Sequence, residues 1–249
     1  MAIKESTHWY DAEGKPAYTV VGANGNERSV TLRDARKHNY FPSVTTILGV
    51  AAKPALENWK IDQALMAALT LPRIEGESLD EFMKRAKQDS KQQAIDSAAE
   101  GTAIHADIEM GFAGERDSPV YQAIRSILEG LFPGNKWVAE DSFSHTAGFG
   151  GKVDLYSLAG IVVDFKTKEG IEGKDPAKLV YEEHGMQLAA YGHGLKFSDV
   201  PDRVSIFVDR KNPEVVLAHM WDTESYHKHL NMFLALLSYW QLSKGHFPQ

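Results

Sequence analysis

Residues 151–166 constrain the fold of this chain more strongly than any other stretch. Two apolar runs rich in β-branched residues flank a short Ser- and Gly-containing break, a pattern typical of a β-hairpin. The first run contains Asp154, and the second contains Asp164 followed two residues later by Lys166. Residues i and i+2 of a strand point to the same face, so Asp164 and Lys166 face the same way. Asp154 on the paired strand can join them.

Two carboxylates and an ammonium group on an otherwise apolar hairpin are costly unless something binds between them. A divalent metal ion together with a phosphate is the natural occupant. Acid-x-Lys patterns are common, and the strongest competing one spans residues 209–211 at the end of a predicted strand. Asp209 has no acidic residue on an obvious partner strand, and the turn at 212–213 marks it as the solvent end. The sequence therefore favours Asp164 and Lys166 as part of a metal site.

The composition excludes several classes of protein. With 249 residues, of which 43% are hydrophobic, the chain can bury the core of one domain, or of one domain with an appendage. The absence of cysteine excludes disulfides, zinc–thiolate fingers and iron–sulfur clusters. A net charge of -7 argues against a protein that coats nucleic acid non-specifically. Without a signal peptide or an apolar run long enough to span a bilayer, we expect a cytoplasmic protein.

The order of predicted elements indicates an α/β fold with a mixed central sheet flanked by helices. Strand-like runs at 17–21 and 28–32 predict an N-terminal hairpin, and helices are expected to begin after Ser43 and at Pro54. Further helices are predicted at 78–112, as one helix or two, and at 118–131, 176–195 and 223–242. Strands are predicted at 137–143, 148–156, 161–166, 204–208 and 215–220. Meandering strands followed by a crossover helix predict one mixed sheet with helices on both faces.

Two pairs of helical residues add polar groups near the predicted hairpin. His105 and Glu109 are four residues apart in the long polar helix, so they share one face. Imidazole suits a transition metal such as manganese and carboxylates suit magnesium, although a single helical histidine is more often structural. Gln187 and Tyr191 share a face of the helix that follows the hairpin. Taken alone, this second pair would be interpreted as half-buried structural residues.

Taken in order, these residues resemble the motif set of a known nuclease family. His105, Gly151-x-x-Asp154, Asp164-x-Lys166 and Gln187-x-x-x-Tyr191 are similar to the ordered motifs of the RecB-type nucleases. These belong to the PD-(D/E)xK, or restriction-endonuclease-like, superfamily. The resemblance covers about residues 95–195, and residues 42–48 and 53–59 resemble the openings of phage-encoded and mitochondrial-maintenance-type exonucleases. The missing cysteines depart from the iron–sulfur members, and no helicase phosphate loop is present.

The resemblance implies a set of metal ligands. Asp154 and Asp164 would hold one or two Mg²⁺ or Mn²⁺ ions, which offset the charge of a phosphodiester and lower the pKa of bound water. His105 and the main-chain carbonyl of Phe165 would be further ligands. Glu109 is a weaker candidate that would orient His105.

The resemblance also implies roles in catalysis. Lys166 would orient the nucleophilic water or stabilise the developing charge. Gln187 and Tyr191 would position either the scissile strand or Lys166. Four lysines near the predicted site could contact phosphates, or could belong to a solvated charged loop: Lys152, Lys168, Lys174 and Lys178.

The expected activity is metal-dependent hydrolysis of DNA from an end, in phage or bacterial DNA recombination, repair or processing. We expect an N-terminal hairpin and helical elaboration over residues 1–90 and a restriction-endonuclease-like nuclease core over residues 91–249. The implied setting is the cytoplasm of a bacterial host cell, with phage or host recombination proteins as candidate partners. A structure- or sequence-specific endonuclease on the same core, and a non-catalytic DNA-binding module, remain alternatives. The presence of both aspartates and Lys166 argues against the module.

Overall fold

The computed structural model describes residues 8–249. Within them the chain forms two compact units, a larger one that combines residues up to Ala51 with Asp107–Gln249 and a smaller one from Ala52 to Ala106. The predicted boundary at residues 90 and 91 separates an N-terminal elaboration from a nuclease core by their expected functions. It is not tested by the division into compact units and stays a prediction. No helix in the described part of the chain is both long enough and apolar enough to cross a membrane.

The larger unit begins with short elements. They are β1 (Trp9–Tyr10), β2 (Thr19–Val21), β3 (Glu27–Ser29), α1 (Leu32–His38), β4 (Phe41–Pro42) and α2 (Val44–Leu48). β2 and β3 form the predicted N-terminal hairpin, and Ser43 caps α2 as predicted. The prediction of a strand reaching residue 32 was wrong, and it missed α1. Thr31 ends the strand region because it caps α1 together with Asp34, whose carboxylate accepts the Thr31 N–H.

The smaller unit is mainly helical. It contains α3 (Pro54–Thr70) and most of α4 (Leu79–Phe112). Pro54 stands in the first turn of α3, where a missing N–H costs no helical hydrogen bond. The long polar helix that the sequence predicts is a single helix. Ser78 and Glu81 stabilise its start, because Glu81 accepts the Ser78 N–H while the Ser78 hydroxyl accepts the Glu81 N–H.

A five-stranded mixed sheet forms the centre of the larger unit. Its strands are β5 (Val138–His145), β6 (Phe149–Ser157), β7 (Ile161–Lys168), β8 (Asp202–Asp209) and β9 (Val216–Trp221), and their spatial order is the chain order. β7 and β8 are parallel, and all other neighbouring strands are antiparallel. The predicted α/β class with a mixed sheet flanked by helices is therefore confirmed.

Three further helices accompany the sheet: α5 (Pro119–Leu131), α6 (Glu182–Gly194) and α7 (Ser225–Lys244). α6 lies in the crossover that parallel strands require, between β7 and β8. The prediction of one helix over residues 176–195 was wrong at its start, because residues 176–178 form only a 3-10 turn. Leu179 then packs into a small buried cluster with Ile171 and Phe207. α6 begins after this cluster, at Glu182.

The apolar core of the larger unit fixes the elements that carry the predicted site. It joins Phe149 and Val153 of β6 to Leu188 of α6, Phe233 of α7 and Ile47 of α2. All five side chains are fully buried. Because these side chains pack together away from solvent, α6 is held against the β6–β7 hairpin. Side chains from the helix and from the hairpin can therefore meet in a fixed geometry.

Candidate metal centre

The hairpin of β6 and β7 brings the two predicted carboxylates together. The strands pair antiparallel from the turn as far as Leu155 and Val163. One step further, the same register places Asp154 opposite Asp164. There the Asp154 side chain enters the hairpin, and its Oδ2 accepts the main-chain N–H of Phe165 at 2.8 Å. The two acids therefore lie where the main-chain pairing of the hairpin ends and the Asp154 side chain acts as the hydrogen-bond acceptor instead.

Asp164 and Lys166 share a face of β7, as the strand period predicts. The Asp164 side chain is 1% exposed and the Lys166 side chain 26% exposed, and Lys166 Nζ lies 2.6 Å from Asp164 Oδ2. This contact is an ion pair, and Asp164 Oδ2 accepts no hydrogen bond within residues 8–249. The ammonium group offsets part of the cost of burying the carboxylate, and the oxygen without a hydrogen bond could still bind a further cation.

α6 contributes two buried polar side chains to the same place. Gln187 Oε1 accepts a hydrogen bond from Lys166 Nζ at 3.0 Å. Gln187 Nε2 donates to the Tyr191 hydroxyl at 3.0 Å. Lys166 is thus held between Asp164 on its own strand and Gln187 on the crossover helix. The structure brings together five of the residues predicted for catalysis.

Gly151 explains how Tyr191 reaches the hairpin. A Cβ atom on Gly151 would lie 2.9 Å from Tyr191 Cε1, closer than real Cβ contacts, and 3.0 Å from the Phe143 ring, which is tighter than most such contacts. The rings of Phe143 and Tyr191 meet edge to face, with centroids 6.3 Å apart. The spacing Gly151-x-x-Asp154 therefore places the small residue that admits Tyr191 and the first acid on the same strand.

The charges of the site displace the pKa values of its groups. Burial, followed by the charge of Asp164, raises the pKa of Asp154 to about 8. Burial alone would lower the pKa of Lys166, but the charges of Asp164 and Asp154 raise it, so Lys166 stays protonated. Burial and the same two carboxylates raise the pKa of Tyr191 well above its ordinary value. The charge of the neighbouring carboxylates contributes to each of these shifts beside the effect of burial, and a bound cation would offset that charge.

Glu140 on β5 is an acidic residue that the sequence analysis missed. The β5–β6 register pairs the residues on either side of Glu140 with those on either side of Asp154. A carboxylate oxygen of Glu140 lies within 4.8 Å of one of Asp154. Glu140 has a φ of 56°, a left-handed conformation that costs a glutamate about 1–2 kcal/mol. Its carboxylate forms an ion pair with Lys152 on β6.

The two predicted residues of α4 fall on either side of the boundary between the units. His105 belongs to the smaller unit and Glu109 to the larger. The negative charge of Glu109 adds to the effect of burial in raising the pKa of Glu140. Glu109 therefore lies within electrostatic reach of this acidic group. The role of His105 as a metal ligand stays a prediction.

The four lysines predicted near phosphates have different surroundings. Lys152 is paired with Glu140. Lys168 belongs to β7 rather than to the following loop, and its ammonium group donates to the Leu179 carbonyl at 2.8 Å. The other two, Lys174 and Lys178, are exposed. The two lysines on the same strands as the carboxylates therefore already have internal partners.

Asp209, the carboxylate of the competing pattern, holds loops together. It was expected at the solvent end of its strand, but it is only 4% exposed. Its oxygens accept the main-chain N–H groups of Ile171 at 2.8 Å, Lys211 at 2.9 Å and Asn212 at 3.2 Å. Burial would raise the pKa of Asp209, but these hydrogen bonds lower it. A carboxylate satisfied in this way does not need a cation.

Comparisons with known proteins do not identify a function for the site. No protein-family model matches the chain, and none of the curated proteins matches it. Among solved structures, the chain is similar to one described as the crystal structure of SSO0001, with 15% sequence identity and a TM-score of 0.32. The match covers 72% of this chain and 85% of that chain. A likeness at this level supports no conclusion about activity.

Proposed function

We propose that this chain is a metal-dependent deoxyribonuclease that hydrolyses phosphodiester bonds from a DNA end. The observation that carries the proposal is the convergence of Asp154, Asp164 and Lys166 on the β6–β7 hairpin. Gln187 of α6 fixes Lys166 in this group. The order and spacing of these residues are those that resemble the RecB-type nucleases.

The groups present fit a divalent cation. Asp164 Oδ2 is buried without a hydrogen-bond donor within residues 8–249, and the carboxylate of Asp154 lies on the opposite strand. The N–H and C=O of one strand residue point towards the same neighbour, so the Phe165 carbonyl also faces the β6 side. Oxygen donors of this kind suit Mg²⁺ and Mn²⁺. A bound ion would offset phosphate charge and supply a water of lowered pKa.

Lys166 supplies positive charge and proton donors next to the carboxylates. Its proton is retained because Asp164 and Asp154 raise its pKa against the effect of burial. In this position the ammonium group can orient an attacking water or donate to a phosphate oxygen as charge develops there. The Tyr191 hydroxyl accepts from Gln187 and keeps its own proton for donation to the substrate.

The preference for DNA ends follows the family resemblance, as does a setting in phage or bacterial recombination, repair or processing. We place the activity in the cytoplasm of a bacterial cell. An endonuclease on the same core would share the metal centre and differ in how DNA enters it. A DNA-binding module would have no need for Lys166 and Gln187 to be held beside two carboxylates.

Digestion of linear and circular DNA tests the proposal. End-labelled linear duplex and a covalently closed circle of the same sequence are incubated with Mg²⁺, Mn²⁺ or a chelator. We expect release of labelled mononucleotides from the linear DNA only when metal is present, with intact circles. Nicked circles would favour the endonuclease, and binding without cleavage would favour the module. Asp164→Asn is the matched control, because it keeps the size of the side chain and removes its charge.

A further inference from the structure

The surface around β3 and α1 is basic, although the chain as a whole is acidic. Residues 27–38, which span β3 and α1, contain four Arg or Lys side chains against two acids, whereas the chain carries a net charge of -7. All four are exposed. We call this group the α1 basic surface, and its members are Arg28, Arg33, Arg36 and Lys37.

Three members of the α1 basic surface line one depression. Arg28, Arg33 and Lys37, together with Thr31 and Asp34, surround a volume of about 530 Å³. Arg28 is fixed there by two hydrogen bonds to the Asp34 carboxylate, at 2.6 and 2.8 Å. Arg33 and Lys37 have no acidic partner within residues 8–249. They stand four residues apart on α1, where like charges slightly destabilise a helix, so folding does not favour this pair.

The α1 basic surface lies on the same unit as the candidate metal centre and is linked to it by contacts. The Tyr18 carbonyl accepts the N–H of Val30 at 3.0 Å, and Arg28 precedes Val30 by two residues. The Tyr18 hydroxyl shares a hydrogen bond of 3.1 Å with that of Tyr10. Tyr10 packs on Gly150, because a Cβ there would lie 2.8 Å from its ring.

The series of contacts from Arg28 to Asp154 sets an upper limit on the distance that a bound DNA strand would have to span. Gly150 precedes Asp154 by four residues on β6, which is about 13 Å at 3.3 Å per residue. With the tyrosine contacts and the two residues from Val30 to Arg28, the route is at most about 40 Å long. This length corresponds to about twelve base pairs of duplex DNA or fewer.

We propose that the α1 basic surface binds the phosphate backbone of the DNA substrate several nucleotides away from the scissile bond. This inference rests on the proposed function. Lys152 and Lys168 have internal partners, so the exposed cations of α1 are better placed to meet phosphates. Guanidinium groups suit phosphate oxygens because they donate two hydrogen bonds in one plane. On a chain with negative net charge, one basic surface also orients an approaching polyanion.

Salt-dependent DNA binding tests the inference. The double variant Arg33→Ala/Lys37→Ala of the full chain is compared with the parent by fluorescence anisotropy of a labelled duplex in chelator, so that no hydrolysis occurs. The loss of two phosphate contacts should reduce the slope of log affinity against log salt by about 1.8. If the affinities converge at 1 M salt, the variant should bind about 60-fold more weakly at 0.1 M salt.

The matched control is Lys87→Ala/Lys91→Ala, which removes two exposed lysines that also stand four residues apart, on α4. Its slope should stay close to that of the parent. The melting temperature of Arg33→Ala/Lys37→Ala should not fall, because the two side chains form no ion pair with an acid in residues 8–249. Should it fall, Arg33→Gln/Lys37→Gln repeats the test with longer helix-forming side chains.

Several outcomes would overturn the inference. One is an unchanged salt slope in Arg33→Ala/Lys37→Ala, and another is an equal loss of slope in the control. A third is weaker binding of the variant to phosphatidylserine vesicles while its binding to DNA is unchanged. With Mn²⁺ present, the variant should keep its turnover at saturating DNA and show only a raised KM. If the parent binds DNA through this surface but hydrolyses none, the α1 basic surface stands and the nuclease proposal falls. If the parent cleaves DNA and the variant binds DNA as tightly as the parent does, the nuclease proposal stands and the proposal for the α1 basic surface falls.

Discussion

Replacement of Asp154 by asparagine should stabilise the metal-free protein and abolish its nuclease activity. The asparagine carbonyl can still accept the Phe165 N–H, which now donates to Asp154 Oδ2 at 2.8 Å. The hydrogen bond is therefore kept while the negative charge is lost. That charge lies opposite Asp164 in the register of the hairpin. Removing one of two neighbouring like charges favours the folded state when no cation is bound.

The size of the stabilisation expected for Asp154→Asn follows from the pKa of Asp154. Burial and the charge of Asp164 raise it from 3.8 to about 8 in the folded protein. The folded state then binds more protons than the unfolded state, so the stability of the parent should fall as pH rises from 4 to 8. Each pKa unit is worth about 1.4 kcal/mol, but Asp154 is partly exposed and water screens its charge. We expect a gain of about 1–3 kcal/mol at pH 8, or roughly 2–10 °C in melting temperature.

Thermal melting between pH 4 and 9, with chelator and with Mn²⁺, measures this effect. The parent should melt higher with Mn²⁺, by an amount set by the ion concentration relative to its dissociation constant, and Asp154→Asn should not respond. Asp209→Asn, on β8, is the matched control. Asp209 uses both carboxylate oxygens as acceptors of main-chain N–H groups. Its replacement should therefore lower stability by about 1–3 kcal/mol at neutral pH.

The two aspartates should thus respond with opposite signs. If Asp154→Asn melts below the parent at pH 8 in chelator, the carboxylates do not repel one another as the structure indicates. Near-normal turnover of Asp154→Asn would refute its assignment as a metal ligand.

Four further substitutions test the surroundings of the site. Lys166→Ala should cut turnover by orders of magnitude with little change in DNA affinity, whereas Lys168→Ala should chiefly lower the melting temperature; single-turnover cleavage and melting curves separate the two. Gly151→Ala should displace Tyr191, lowering both turnover and stability, the latter by about 1–3 kcal/mol as measured by denaturant unfolding. His105→Ala should weaken Mn²⁺-supported cleavage more than Mg²⁺-supported cleavage, because imidazole prefers manganese. Equal losses with both metals and a lower melting temperature would make His105 a structural residue.

The parts of the fold that depend on neighbouring residues could be predicted from the sequence. The β6–β7 hairpin is one, because its two runs and its turn lie within residues 149–168. The strand period alone then places Asp164 and Lys166 on one face. The helix period in the same way places Gln187 and Tyr191 on one face of α6. Their mutual contacts follow once the crossover helix packs on the hairpin.

The parts that depend on distant residues could not be predicted. Glu140 reaches Asp154 only because β5 pairs with β6 in one register, and nothing in its own neighbourhood signals a φ of 56°. The start of α6 is displaced to Glu182 because Leu179 packs with residues from two other segments. The missed helix α1 had a local signal, since Thr31 and Asp34 form a capping pair three residues apart.

The metal centre itself can be located by anomalous diffraction from crystals of the parent protein grown or soaked with Mn²⁺. We predict a manganese peak bound by the carboxylates of Asp154 and Asp164, within reach of the Phe165 carbonyl. The peak should be absent from crystals of Asp164→Asn treated in the same way. A well-ordered site without a peak at millimolar Mn²⁺, or a peak bound elsewhere with Asp164 still paired to Lys166, would show that these carboxylates do not form a metal centre.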